Sequence, residues 1–427
     1  MTLTETRAAF IAAIKTIKFV GPHYCVPSES GNDAYEVILG EQSTCTCEHF
    51  QTARDNCKHI IAAWMVVHRE HDGKPVEVVV DEVPKKPTVE RDWSRYNQAQ
   101  ESEEPRMLEL LHQLVQGIEE PLIRRPGRQP FPMKDRVFAC VLKVFSTWGA
   151  RRFKDRLKDA HKKGLLNAPM NSGSVWAFME DKSMTPVLQK LIEVSALPLR
   201  SLERVFAVDA SVFLSNWREQ AANLNAPITL TEPAPYAGVK AHAIVGTTTH
   251  VAAAVMIDAK MSGDSPKFNL LVLQAHEAGF SLQEVCADKA YLSHENLSLI
   301  EDLGATAYIP LKSNSLPGEQ GSAWSRFYHR VGLDREKFLQ HYHKRSNVES
   351  VFSAVKRKYG HKIRSRASDA MANEVLCKFL CQNIWAVHHA IVVLGVAGEF
   401  WSDDSGIEAQ AGDTDEPTVL QMPALRN

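Results

Sequence analysis

Three carboxylates and one cysteine–histidine cluster are the residues of this chain whose types and spacing could do chemistry. Asp209 closes the apolar run Val205-Phe-Ala-Val208, and Asp288 closes Val285-Cys-Ala287. Each is therefore predicted where a buried strand stops. Glu349 is the lone acid of the basic stretch HYHKRSNVESVFSAVKRKYG, residues 341–360. Phosphodiester chemistry needs a water or 3′-hydroxyl deprotonated and a leaving oxygen stabilised at neutral pH. Two hard divalent cations held by carboxylates from separate elements do both. Asp209, Asp288 and Glu349 could supply those oxygens, with Arg345 and Lys356 holding phosphates.

The element that must position Glu349 is a helix. Asp334 can cap one that runs to Tyr359 and stops at Gly360. At ~100° per residue, Tyr342, Arg345, Glu349 and Lys356 fall within roughly 60° of one another on its wheel. Val348, Val351, Phe352, Val355 and Tyr359 form the neighbouring apolar stripe. A plainer alternative stays open. Ser346-Asn-Val-Glu349 matches a capping box, in which Glu349 merely closes a helix N-terminus and Arg345 is its surface i,i+4 partner.

Around these residues the pattern from Val205 reads as a mixed α/β domain. Strands are predicted at Val239–Val245, Val251–Ile257 and Ala307–Leu311, with helices at Phe268–Ala278 and His294–Leu303. Lys240 and His242 alternate on the first of these strands and are candidates to face DNA, against the plainer reading as surface residues. Upstream, Met133–Leu199 reads as helical throughout, and 13 bases against 3 acids lie between Arg124 and Lys163. Such clustering suits phosphates. Arg151 and Arg152 lead its exposed face, and Gly149 and Asn171-Ser-Gly-Ser174 break it as in helix-turn-helix arrangements.

The second constellation is Cys45-Thr-Cys47, nine residues, then Cys57-Lys-His59. Cys45, Cys47, Cys57 and His59 can close a tetrahedral, structural Zn2+ site; Cys25 and His49 are substitutes that break the paired spacing. With Tyr35, Val37, Leu39 and Phe50 placed as they are, the segment resembles a SWIM-type zinc finger, a module associated with binding DNA or protein.

The spacing Tyr342-x2-Arg345-x3-Glu349-x6-Lys356 is similar to the Tyr-Arg-Glu-Lys motif of bacterial insertion-sequence transposases of the DDE superfamily. Ala207-Val-Asp-Ala-Ser211 and Ala287-Asp-Lys-Ala-Tyr291 resemble that family's two aspartate motifs. The likeness runs from about Pro121 to Val393. It implies an RNase H-like catalytic fold, two Mg2+ on Asp209, Asp288 and Glu349, cleavage and strand transfer of DNA, and binding to terminal inverted repeats. Tyr342, Arg345 and Lys356 match positions expected to grip the strand near the cut. The resemblance further implies a homodimer on paired ends of double-stranded DNA. The roughly 60 residues between Asp288 and Glu349 leave little space for the inserted β-domain of some relatives. A transposase-derived regulatory protein that binds without cutting, and a two-metal nuclease without strand transfer, are the competing readings.

Composition bounds the rest. The 427 residues are 44% hydrophobic and 23% charged, with a net charge of −2, which fits a globular protein of several domains. The balance hides a basic middle offset by an acidic stretch after Gly398. The N-terminus lacks a signal-peptide pattern, and Ile384–Val396 is too short to span a membrane. Eight dispersed cysteines suit a reducing interior, so a cytoplasmic, nucleoid-associated protein with no membrane partner is expected. The expected organisation is a finger module over 1–75, a linker and helix over 76–123, and a basic helical DNA-binding region over 124–200. A catalytic domain over 201–398 and an acidic tail over 399–427 complete it.

Overall fold

The computed structural model describes residues 2–20, 23–29, 33–40, 42–71, 92–120, 129–218, 236–312, 315–316, 318–319, 321–333 and 335–401. The predicted linker prolines Pro75, Pro84 and Pro87, the Asp334 cap, and nearly all of the acidic tail lie outside these residues. Two compact units are present. One comprises residues 1–88 and 284–344, the other 89–283 and 345–427. The segment around Asp288 thus groups with the finger, where the sequence boundaries had placed it inside a continuous 201–398 domain.

The first unit begins with helix α1 (Leu3–Ile14). A capping box starts it: Thr2 Oγ1 accepts from Glu5 N–H, and Glu5 accepts from Thr2 N–H. Strands β1 (Lys18–Val20), β2 (His23–Pro27), β3 (Ala34–Ile38) and β4 (Thr44–Cys45) follow in an antiparallel sheet of that order. Helices α2 (Glu48–Ala53) and α3 (Lys58–His71) complete the module. Val26 and Val37 point inward at period two and meet Ala8, Ile11, Ile60 and Ala63. That is a small core for about 70 residues, and it leaves room for a metal to add stability.

The second unit opens with α4 (Trp93–Glu101) and α5 (Glu103–Gln116). The stretch expected to be helical throughout is instead four helices: α6 (Met133–Ser146), α7 (Ala150–Lys162), α8 (Ser172–Met179) and α9 (Met184–Ala196). The breaks have local causes. Thr147 takes a left-handed φ of 52°, Gly164 one of 73°, and Asn171 caps α8 by accepting from Ser174 N–H. Strands β5 (Val205–Arg218), β6 (Tyr236–Gly246) and β7 (Ala252–Ala259) form an antiparallel meander, followed by α10 (Ser265–Glu277).

The chain returns to the first unit with β8 (Glu284–Ala287), α11 (His294–Asp302), β9 (Thr306–Tyr308), α12 (Ala323–Leu333) and α13 (Arg335–Tyr342). β8 and β9 pair in parallel. Here α12 packs on α1 of the finger module, and Phe10 stacks on Tyr328 with ring centroids 5.8 Å apart. Among the described residues between Asp288 and Glu349, β9 is the one strand, in keeping with the short spacing. A 3₁₀ turn at His343–Arg345 then interrupts the helix predicted to run unbroken to Tyr359.

The second unit resumes with α14 (Ser346–Tyr359), β10 (Lys362–Ile363), parallel to β5, and α15 (Ser368–Leu394). The sheet of this unit is therefore mixed. α15 is long and apolar enough to cross a membrane, but 89% of its apolar window is buried. It is the axis on which α4, α5, α6, α9 and β7 pack. Its buried Asn383 is fully used, accepting from Ala252 N–H and donating to Ile192 O, Ser195 Oγ and Ala252 O.

Three buried histidines near α15 tie stability to pH. Burial drives His250, His388 and His389 below the usual imidazole range, His389 to about 4. Their folded pKa values lie under the unfolded one, near ~6.5. The stability they contribute is thus present above that value and lost as pH falls through it. Acidification from pH 7 to 5.5 should cost about 1 kcal/mol through His389 alone, or ~2–4 °C of melting temperature. His389→Leu should shrink the drop seen in a thermal melt.

Candidate active site

Asp209 lies in the middle of β5, opposite Ala243 of β6, and not at a strand end as predicted. The strand continues because Phe213 and Ser215 resume the buried pattern after Ala210 and Ser211. On α14, Val348, Val351, Phe352, Val355 and Tyr359 are buried, as the stripe required, and the helix packs on β5 and β6. Glu349 stands on the edge of that face with its side chain 56% exposed. Ser346 is the first residue inside the helix, and no side chain caps it. The capping-box alternative is therefore not what this helix adopts.

Arg345 joins the two acids. Its Nη1 donates to Asp209 Oδ2 at 2.9 Å and its Nη2 to Glu349 Oε1 at 2.5 Å. Carboxylates 140 residues apart in sequence are thus within the span of one guanidinium. Lys356, two turns along the same face, donates to Ser211 Oγ at 2.7 Å and sits 4.9 Å from the Phe213 ring centre. Burial lowers its pKa from the ordinary lysine value. Asp209, Ser211, Glu349, Ser353, Lys356 and Arg357 line one open cleft of about 720 Å³. Behind α14, His250 holds a left-handed φ of 60° and its Nε2 lies 3.0 Å from Asn347 Oδ1, bracing the first turn of the helix.

Asp288 directly follows β8 in the other unit, half-buried, as expected for its motif. Its Oδ1 accepts from Lys289 N–H at the start of a 3₁₀ turn over Lys289–Tyr291. Tyr342 ends α13, where its ring stacks on Phe338 at 6.2 Å. The helical wheel that grouped Tyr342 with Glu349 assumed one unbroken α-helix, and the 3₁₀ turn at His343–Arg345 lies between them.

Lys240 and His242 are both engaged by neighbouring residues. Lys240 pairs with Asp264 and donates to Ser262 O, while His242 is fully buried with Nε2 3.3 Å from Ser262 Oγ. Together they tie down the turn after β7. Arg151 and Arg152 are exposed on the first turn of α7, above the buried Phe153, Leu157 and Ala160. Sequence reasoning gave no role to Ser211 or Asn347, although Ser211 shares a strand face with Asp209 at period two.

In the finger module, the ligand atoms of Cys45, Cys47, Cys57 and His59 lie within 4.8 Å of one another, and all four residues are buried. His59 Nδ1 is 3.9 Å from both Cys45 Sγ and Cys57 Sγ. A tetrahedral zinc site has S–N edges of roughly 3.6 Å. His59 Nε2 is buried with no hydrogen-bond partner among the described residues, and the Tyr35 ring packs on the imidazole at 4.4 Å. A hydrogen bond from Cys45 draws the Cys57 thiol down to about 3, so the cluster favours a thiolate. Three soft sulfurs and one imidazole suit zinc, and the Cys25 and His49 substitutes are not in the cluster.

Comparison with known proteins agrees with both constellations. Residues 201–384 match the family described as the transposase DDE domain. Residues 35–64 match the SWIM zinc finger, so the two matches fall on the acid cleft and on the cysteine–histidine cluster. It is also similar to the "Probable transposase for insertion sequence element ISA1214" of Archaeoglobus fulgidus, 31% identical over 109 residues. That match covers 26% of this chain and 33% of the relative, so the chain matches about a third of the relative's length.

Proposed function

We propose that the chain is an active transposase that cleaves the ends of a mobile element with Mg2+ and transfers the freed strand into target DNA. The observation that carries this reading is the Arg345 clamp, which holds Asp209 and Glu349 in one cleft. The fit to magnesium rests on the donors: hard carboxylate oxygens from a strand and a helix that line one open polar cleft. In this reading Asp209, Asp288 and Glu349 would hold two Mg2+, which would supply Lewis acidity for phosphodiester cleavage.

The chain's own groups then do the positioning. Lys356, anchored by Ser211, presents its ammonium to a phosphate of the cut strand. Arg345 orients both carboxylates and offers a second donor face to the backbone. Tyr342 is assigned to the same strand. The exposed Arg151 and Arg152 of α7 bind the terminal repeat, and two copies assemble on paired ends in the cytoplasm at the nucleoid.

The test uses the full chain, a terminal-repeat duplex and a target plasmid, with Mg2+ or with EDTA. Metal-dependent nicks at the element end together with joined target DNA are expected. Nicks without joining would mark a plain nuclease, and binding without nicks a regulatory protein. Either result overturns the proposal.

A further inference from the structure

Outside the cleft, the second unit carries three exposed rings, each with a cation beside it. Trp217, near the end of β5, is 42% exposed, and the Arg366 guanidinium lies 3.4 Å from its ring centre. Tyr236, at the start of β6, has the Lys362 ammonium 5.3 Å from its ring centre. Trp148, between α6 and α7, has the Arg156 guanidinium at 4.6 Å. Two indoles and a phenol ring, each beside a cation in one unit, ask for a reason.

These pairs are connected. Trp217 Nε1 donates to Arg364 O, and Arg364 Nη1 donates to Thr147 O, next to Trp148. Lys362 pairs in register with Leu214 on β10 and β5, and the preceding residue, His361, lines the acid cleft. A continuous path therefore leaves the cleft at His361, passes the Tyr236 and Trp217 pairs, and reaches α7 with Arg151 and Arg152.

We propose that this path is a track for the backbone of double-stranded DNA, carrying the duplex from the cleft to α7. It rests on the reading that the cleft takes DNA. Two features select the phosphate backbone as the ligand. Among the described residues neither Lys362 nor Arg366 has a carboxylate partner, so each keeps its charge for another anion. The rings already carry cations on their faces, which leaves them poorly placed to stack bases and makes them props that fix the cations. The double substitution K362Q/R366Q removes two charges while leaving Tyr236 and Trp217 in place.

Binding of the full chain to two duplexes, one element end and one unrelated, is measured by fluorescence anisotropy in EDTA across a salt series. The double variant should lose about ten-fold in affinity for both duplexes, and its log–log salt slope should fall by about two. An unchanged slope, or a loss confined to one sequence, overturns the track. A matched melting temperature separates this from misfolding, and a single K362E variant on the exposed β10 residue gives an independent reading. Because binding is read in EDTA, it does not depend on cleavage: a wild type that binds here but never cuts in the Mg2+ assay would defeat the transposase reading and leave the track standing.

Discussion

Replacing Glu349 with Gln should abolish metal-dependent cleavage while leaving DNA binding and folding intact. The side chain is 56% exposed at the edge of α14, so an amide of nearly the same shape costs little packing. What it loses is charge. A neutral amide is a poor ligand for a hard divalent cation, and it takes the charge from one of the two acceptors that hold Arg345. Changing groups that merely orient metal ligands typically costs ~10–100-fold. Loss of a ligand itself should exceed that, taking cleavage to background in a gel assay. Equal cleavage by E349Q and wild type would remove Glu349 from the chemistry.

Replacing Cys47 with Ser should release the zinc and loosen the whole first unit. The four ligands are buried together, and the rest of the finger's core is mostly Ala, Val and Ile with Tyr24 and Phe50. Zinc binding in such modules is worth about 10–16 kcal/mol of folding free energy, far more than the stability of a small core alone. The effect should not stop at the finger. Since α1 packs on α12 through Phe10 and Tyr328, loss of the module exposes the segment that follows Asp288. Metal analysis should show one zinc per wild-type chain and none in C47S. Hydrogen exchange should show protection lost across α1, α3 and α12. A C47S protein that keeps its zinc would contradict this account.

What the sequence revealed depended on how local each signal was. The zinc ligands and the apolar stripe of α14 sit at fixed short spacings, and both appear in the structure as read. Asp209 was placed at a strand end because the apolar run breaks there, yet the strand goes on through Phe213. An acid in mid-strand is tolerated where that face opens on a cleft. Tyr342 was grouped with Glu349 on a wheel that assumed continuous winding, and no residue type announces the 3₁₀ turn at His343–Arg345. Lys240 and His242 have the alternation of a DNA-facing strand. Their partner Asp264 lies more than 20 residues later, where no spacing rule connects them. The grouping of residues 284–344 with the finger is a tertiary property of the same kind.

The central claim is that Asp209, Asp288 and Glu349 hold divalent metal together, and Mn2+ binding by calorimetry tests it most directly. Wild-type protein with its zinc in place should bind Mn2+, and D209N, D288N and E349Q should each weaken that binding by more than about ten-fold. A D288N protein that binds Mn2+ as tightly as wild type would contradict the shared site.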